Sequence, residues 1–245
     1  MALPALVLVH GGQHAADCWD PMIAEIHRAA PDLAVLALDL PGRRDKPGDL
    51  LTACIDEWVD SLLADIEDAG VEDLVIVGHS LAGLTVPGVV TNLGSSRVRE
   101  MVLAAAFVPP QGTSVVDTLP GLVGRYTRRK AHTGMSGTMP NSLAEFVFCN
   151  GMTRPQRQFS RDRFYAESPS IIFDNVDRSQ LPDDVPRTWI LTLRDRALSV
   201  ASQRRSIAAL GGVQTVLPVD TCHNLMVSQP ALLATILVER CRRYA

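Results

Sequence analysis

The chain reads as one α/β domain of 245 residues, with a mostly parallel six-stranded sheet and helices on both faces. Three observations predict this. Short runs rich in Val, Leu and Ile recur along the chain, each the length of a buried strand. Most are separated by stretches whose apolar residues fall at helical spacing, and strands alternating with helices build parallel sheets covered on two faces. The alternation stops only over residues 111–187, a block too long for a loop in a compact domain. That block is expected to be a small lid inserted within the single domain 1–245.

The first strand is Ala5 to Val9, leading through His10 into Gly11-Gly12. A helix follows from Pro21, a residue suited to a first turn, to about Ala30. Ala34 to Leu38 is the second strand, closed by Asp39-Leu-Pro-Gly42, and Arg43 to Asp49 reads as a polar loop. Thr52 to Ala69 carries Ile55, Val59, Leu62, Leu63 and Ile66 at helical spacing and stops at Gly70. Leu74 to Val77 is the third strand, with an apolar helix-compatible run over Leu84 to Val90. Val98 to Val108 is the fourth strand, broken by Pro109-Pro110. After the irregular block come a strand over Thr188–Leu193, a helix around Ser199–Leu210, a strand over Gln214–Val219, and a last helix from Pro230 to about Arg243.

Between the third strand and its helix stands Gly78-His-Ser80-Leu-Ala82-Gly83. A strand, one sharp turn with small residues around a serine, then a helix is the pattern of a nucleophile elbow. The neighbours must be small so that the turn closes without a clash and the serine Oγ stands clear of the sheet. Strictly the pattern wants glycine at 82, and Gly83 comes one place late.

Apolar residues make up 47% of the chain and charged ones 20%, enough for a sizeable core. A net charge of −4 offers no case for nucleic acid, and the short basic clusters Arg125–Lys130 and Arg240–Arg243 read as solvated surface. The five cysteines are scattered, odd in number and without metal-ligand spacing, as expected of thiols in a reducing compartment. The apolar start lacks the basic flank of a secretory signal, and no run reaches membrane-spanning length. The expectation is a cytoplasmic monomer or homodimer with no metal, cofactor, nucleic-acid or membrane partner.

A serine hydroxyl is a weak nucleophile and needs a general base within hydrogen-bond reach, work that suits a histidine. Of six histidines, His27 falls on a surface helix and His132 in a basic part of the lid. His10 and His14 lie at the exit of the first strand and would shape the pocket floor. His79 abuts Ser80, but its side chain should point away. His223 follows the last strand, which places it at the same carboxyl edge of the sheet as Ser80. The base in turn needs a carboxylate to orient it. Asp195 ends the fifth strand at that edge, whereas Asp220 is so close to His223 in the chain that facing it is awkward, and it is left a supporting role. Backbone N–H donors for an oxyanion would come from Leu81 and from the loop at Gly11-Gly12. The order Ser80, Asp195, His223 is that of α/β-hydrolases.

With those residues in view, the chain resembles α/β-hydrolases over its whole length, in particular the compact branch of plant methyl esterases, salicylate-binding esterase and hydroxynitrile lyases. The matching stretches are Val7 to His14, Ala37 to Gly42, Val77 to Gly83, Leu103 to Pro109, Leu193 to Leu198 and Cys222 to Met226. The resemblance implies that Gly12 and Leu81 donate the oxyanion N–H groups and that the lid covers an apolar pocket, on a six-stranded sheet without the extra N-terminal strands of larger members. Candidate substrate contacts are Gly11, His14, His79, Tyr126 and Phe146, with Leu119, Leu122, Met135, Met139, Phe148, Met152 and Phe159 as further lid residues. Lyases of this branch carry a threonine and a lysine where this chain has Gly11 and Asn224. Without that cation, hydrolysis of small carboxylic esters through a Ser-His-Asp triad is expected. A thioester or activated C–C bond, a lyase reaction on the same triad, and a receptor-like binding module are the alternatives.

Overall fold

In the computed structural model, which describes residues 3–118 and 139–245, the strands pair in the order β2-β1-β3-β4-β5-β6, all of them parallel. They are β1 (Ala5–Val9), β2 (Val35–Leu38), β3 (Leu74–His79), β4 (Val98–Ala104), β5 (Arg187–Thr192) and β6 (Thr215–Val219). Alternate side chains enter two separate cores, as the period-two geometry of a strand requires. Val7, Ile76, Leu103 and Trp189 point to one face, and Leu6, Leu8, Val75, Val77, Val102 and Ile190 to the other. The first face is covered by α2 (Ile55–Asp68) and α3 (Val86–Arg97), through Trp58, Leu62, Ile66 and Val89. The second is covered by α1 (Asp20–Ala29) and the C-terminal helix Pro230–Arg242, through Met22, Ile26, Leu233 and Leu237.

Between β4 and β5 lie two helices, α4 (Asn141–Phe148) and α5 (Arg154–Arg161), with little other regular structure among the described residues. After β5 come α6 (Val200–Ala209), β6, the single turn α7 (Leu225–Ser228) and α8 (Pro230–Arg242). Leu119, Leu122, Tyr126, His132, Met135 and the Arg125–Lys130 cluster lie outside the described residues.

Three expectations are corrected. The strand expected to run to Val108 ends at Ala104, because Ala105 sits at φ 45°, in the left-handed region that no strand can pass through. The helix after the elbow begins at Val86, with a 3₁₀ turn, Ser80–Gly83, in front of it. Arg240 is not a solvated charge: its Nη2 lies 2.6 Å from Oε1 of Glu100, a residue fully buried in β4. Its Nε donates to both carboxylate oxygens at 2.9 and 3.0 Å, and Tyr244 Oη donates to Oε2 at 3.1 Å. A buried carboxylate must be paired, so this cluster fastens α8 to the sheet.

Candidate active site

Parallel strands point the same way, so the loops after β1, β3, β5 and β6 emerge along one edge of the sheet. Those loops bring Gly11 to His14, Ser80, Asp195 and His223 together.

At the end of β3, Ser80 takes φ 51°, a conformation rare outside glycine and kept only where the surroundings impose it. Phe107 N–H donates to Ser80 O at 2.8 Å and helps to hold the turn. The crowding falls at Gly83 and not at position 82: a Cβ on Gly83 would meet Phe107 O at 2.4 Å, while Ala82 is accommodated in the core. The late glycine is thus a packing requirement of this turn.

His223 and Asp195 are both buried, and they complete an unbroken chain of hydrogen bonds. Asp195 Oδ2 accepts from His223 Nδ1 at 2.7 Å, which leaves Nε2 bare to accept from Ser80 Oγ at 2.8 Å. Asp195 accepts three further bonds, from Thr192 Oγ1 at 2.8 Å and from the N–H groups of Ala197 and Leu198 at 2.8 and 2.7 Å. Burial alone would push its pKa up. The His223 ring and these donors outweigh that, so its carboxyl lies below the usual range. Asp220 stays apart: its exposed carboxylate faces Arg194 Nε at 2.8 Å.

The other histidines nearby are buried and hydrogen-bonded within the fold. His10 Nδ1 donates to Gly11 O at 2.8 Å while Nε2 accepts from Leu40 N–H at 3.2 Å. His14 repeats the arrangement, donating from Nδ1 to Gly12 O at 2.7 Å and accepting at Nε2 from Asn224 Nδ2 at 3.0 Å. Each ring therefore needs one bare nitrogen. Burial, partly offset by the carbonyl partner, lowers the pKa of His10 to about 3 and that of His14 to about 4. His79 donates from Nε2 to His223 O at 3.0 Å, and burial lowers its pKa as well. Among the described residues, no three His, Cys, Asp or Glu side chains are grouped to hold a metal ion.

A stability prediction follows from these lowered values. Between about pH 6.5, the ordinary histidine value, and the folded values, the unfolded chain binds more protons than the folded one. Stability is therefore complete above pH 6.5 and is lost as the pH falls toward 4, by up to about 1.4 kcal/mol per pH unit for each histidine. Urea unfolding at pH 6.5, 5.5 and 4.5 should show this decline, and His14→Asn should make it shallower. An unchanged slope in that variant would mean that His14 is not held neutral by the fold.

Two of the expected substrate contacts need restating. Phe146 is 60% exposed and carries the Arg196 guanidinium 4.5 Å over its ring, so it belongs to the outer side of α4. Phe148, two residues on, turns inward instead, with its ring centroid 5.3 Å from that of His223. Phe164, which no sequence signal singled out, joins it 5.5 Å from His14. His79 is wholly buried and serves His223. The oxyanion donors of the sequence reading, Gly12 and Leu81, lie side by side: a Cβ placed on Gly12 would be 3.7 Å from Leu81 Cβ.

Fold and site define a class, and the comparisons agree with it. The chain belongs to the alpha/beta hydrolase family, whose model matches residues 6–236. It is 26% identical over 273 residues to Esterase PIR7B of Oryza sativa subsp. japonica, covering 97% of this chain and 96% of that one. It is also 30% identical over 115 residues to a carbendazim hydrolyzing esterase of Nocardioides sp. (strain SG-4G), a match covering 46% of each chain. Among solved structures, it superposes with TM-score 0.83 on an extracellular alpha/beta-hydrolase from a Paenibacillus species, at 20% identity over 97% of this chain and 98% of that one. That protein is described as sharing structural and functional homology with tobacco salicylic acid binding protein 2. The methylesterase MES16 from Arabidopsis gives TM-score 0.78 at 16% identity, over 98% of this chain and all of that one. The family expected from the sequence is the one found.

Proposed function

We propose that the protein is a serine hydrolase acting on small carboxylic esters through an acyl-enzyme. The observation that carries this reading is the hydrogen-bonded chain from Ser80 Oγ through His223 to Asp195, at 2.8 and 2.7 Å. Relatives named as esterases and methylesterases support it.

His223 Nε2 takes the hydroxyl proton as Ser80 Oγ attacks the ester carbonyl carbon. The carbonyl oxygen becomes an oxyanion facing the N–H groups of Gly12 and Leu81, donors that belong to no strand and to the first turn of a helix. As the tetrahedral species collapses, His223 passes the proton to the departing alcohol and leaves the acyl group on Oγ. Water then repeats the sequence: His223 takes its proton, hydroxide adds to the acyl carbon, and the acid leaves as Ser80 recovers its hydrogen. Asp195 keeps the proton of His223 on Nδ1 throughout. Phe148 beside His223 and Phe164 beside His14, both from the segment between β4 and β5, provide apolar surface next to the base.

A lyase reaction is disfavoured by Asn224. It is neutral, and its amide is already committed to His14 Nε2, so no ammonium stands there to hold a departing cyanide. The test pairs two substrates. Phenyl acetate should be hydrolysed well above background, and mandelonitrile should release cyanide no faster than it does alone. Mass spectrometry after a brief exposure to an aryl sulfonyl fluoride should find one adduct, on Ser80. Rapid Ser80-dependent cyanohydrin cleavage without ester turnover would replace this reading with the lyase.

A further inference from the structure

The loop after β1 contains a non-glycine residue in the left-handed region, Gln13 at φ 57°. Such backbone persists only where neighbours over-determine it. Here the neighbours all come from the segment between β4 and β5. Gln13 N–H donates to Glu167 Oε2 at 2.7 Å, Gln13 O accepts from Tyr165 N–H at 2.9 Å, and Gln13 Oε1 accepts from Met139 N–H at 2.7 Å. On the opposite side of the same peptide, Gly12 O accepts from His14 Nδ1 at 2.7 Å. The Gly12–Gln13 peptide is therefore held at its oxygen and at its N–H, and a flip would break both bonds. Gly12 N–H itself has no partner among the described residues.

Glu167 is the less expected member of this clamp. A Cβ on Gly12 would lie 2.9 Å from Glu167 Oε2, so the carboxylate is packed against the residue whose N–H is to meet an oxyanion. Left alone, that negative charge would oppose the charge that develops on the substrate. The neutralising group is Arg43, which the sequence placed in a polar loop and the fold turns inward, with its side chain fully buried. Arg43 Nη2 donates to Glu167 Oε1, Arg43 Nε donates to His14 O at 3.1 Å, and the guanidinium lies 5.5 Å from the ring centroid of Trp58.

We infer that Glu167 is a positioning residue for the oxyanion hole, holding the Gly12–Gln13 peptide, and that Arg43 neutralises it there. The inference rests on the ester-hydrolase reading. It makes the insertion between β4 and β5 part of the catalytic machinery, because the loop that stabilises the transition state is set by a side chain delivered from that insertion. Substrate binding is not its task, so its loss should appear in kcat more than in KM.

The experiment has a kinetic arm and an arm that needs no activity. Glu167→Ala is expected to lower kcat by about 10–100-fold, the order of effect of a misplaced transition-state donor, with KM within about threefold. Glu167→Gln keeps an oxygen for Gln13 N–H and should recover most of that loss. Arg43→Met leaves the carboxylate unneutralised and should cost more than Glu167→Ala, and adding Glu167→Gln to it should restore part of the activity. Concentrations are set by active-site titration with an aryl phosphonate, so loss of folded protein does not enter. By NMR, the Gln13 amide proton should lie downfield in the parent chain and move upfield in Glu167→Ala, together with a shift of the Gly12 amide. Unmoved Gly12 and Gln13 amides, or a kcat within threefold of the parent in Glu167→Ala, would overturn the inference. Persistence of turnover in Ser80→Ala would overturn the ester-hydrolase reading instead, and the amides would still report whether the clamp exists.

Discussion

Ser80→Ala is expected to lower kcat for p-nitrophenyl acetate by about 10⁴–10⁶-fold, with a thermal melt close to that of the parent chain. The loss is large because no other hydroxyl can take the place of Oγ: Ser80 is the residue carried on the left-handed turn, 2.8 Å from His223 Nε2. The fold should survive because the turn is held by backbone. Phe107 N–H donates to Ser80 O, and Gly83 makes the close approach to Phe107, whether or not the hydroxyl is present. His223→Ala should cost a similar factor, and the double variant little more than either single one, since the groups act as a unit. Near-parent turnover in either folded, purified variant would end the assignment.

Asp195→Asn is expected to lower kcat by up to about 10⁴-fold, and the four bonds to Asp195 explain why. Oδ1 accepts from the N–H groups of Ala197 and Leu198, and these donors cannot face an NH₂ group. An asparagine must therefore keep its oxygen on them and turn its NH₂ toward Thr192 and His223. That NH₂ can only donate to Nδ1, which moves the histidine's proton to Nε2, and Nε2 can then no longer accept from Ser80. Packing is barely altered, so kcat should fall while the melt does not. Asp220→Asn should change kcat by less than about threefold, as suits an exposed partner of Arg194. If these two effects came out reversed, Asp220 would be the orienting carboxylate.

Local pattern was enough for the alternation of strands and helices, the sharp turn at Ser80 and the placing of Ser80, Asp195 and His223 at one edge of the sheet. Each of these depends on residues close in sequence. Period-two and helical apolar spacing reports which faces are buried, and in a parallel sheet every strand ends at the same edge, so a residue just after a strand is placed by that fact alone. Even there the boundaries slipped where one residue decided them, as at Ala105, whose left-handed backbone carries no sequence signature in an alanine.

What the tertiary structure decided concerns charges and rings brought together from distant parts of the chain. Arg43 and Arg240 both stand in polar stretches and both are buried, because Glu167 and Glu100, 124 and 140 residues away, supply the carboxylates that make burial tolerable. Phe146 and Phe148 are equally apolar and two positions apart, yet the turn of α4 sends one to solvent and the other to His223. His10, His14 and His79 look alike in a sequence as candidate bases, and only their hydrogen-bond partners make each a neutral support. A residue type states what chemistry a side chain can perform. Which protons, charges and surfaces it meets is settled by the packing of segments that the sequence keeps far apart.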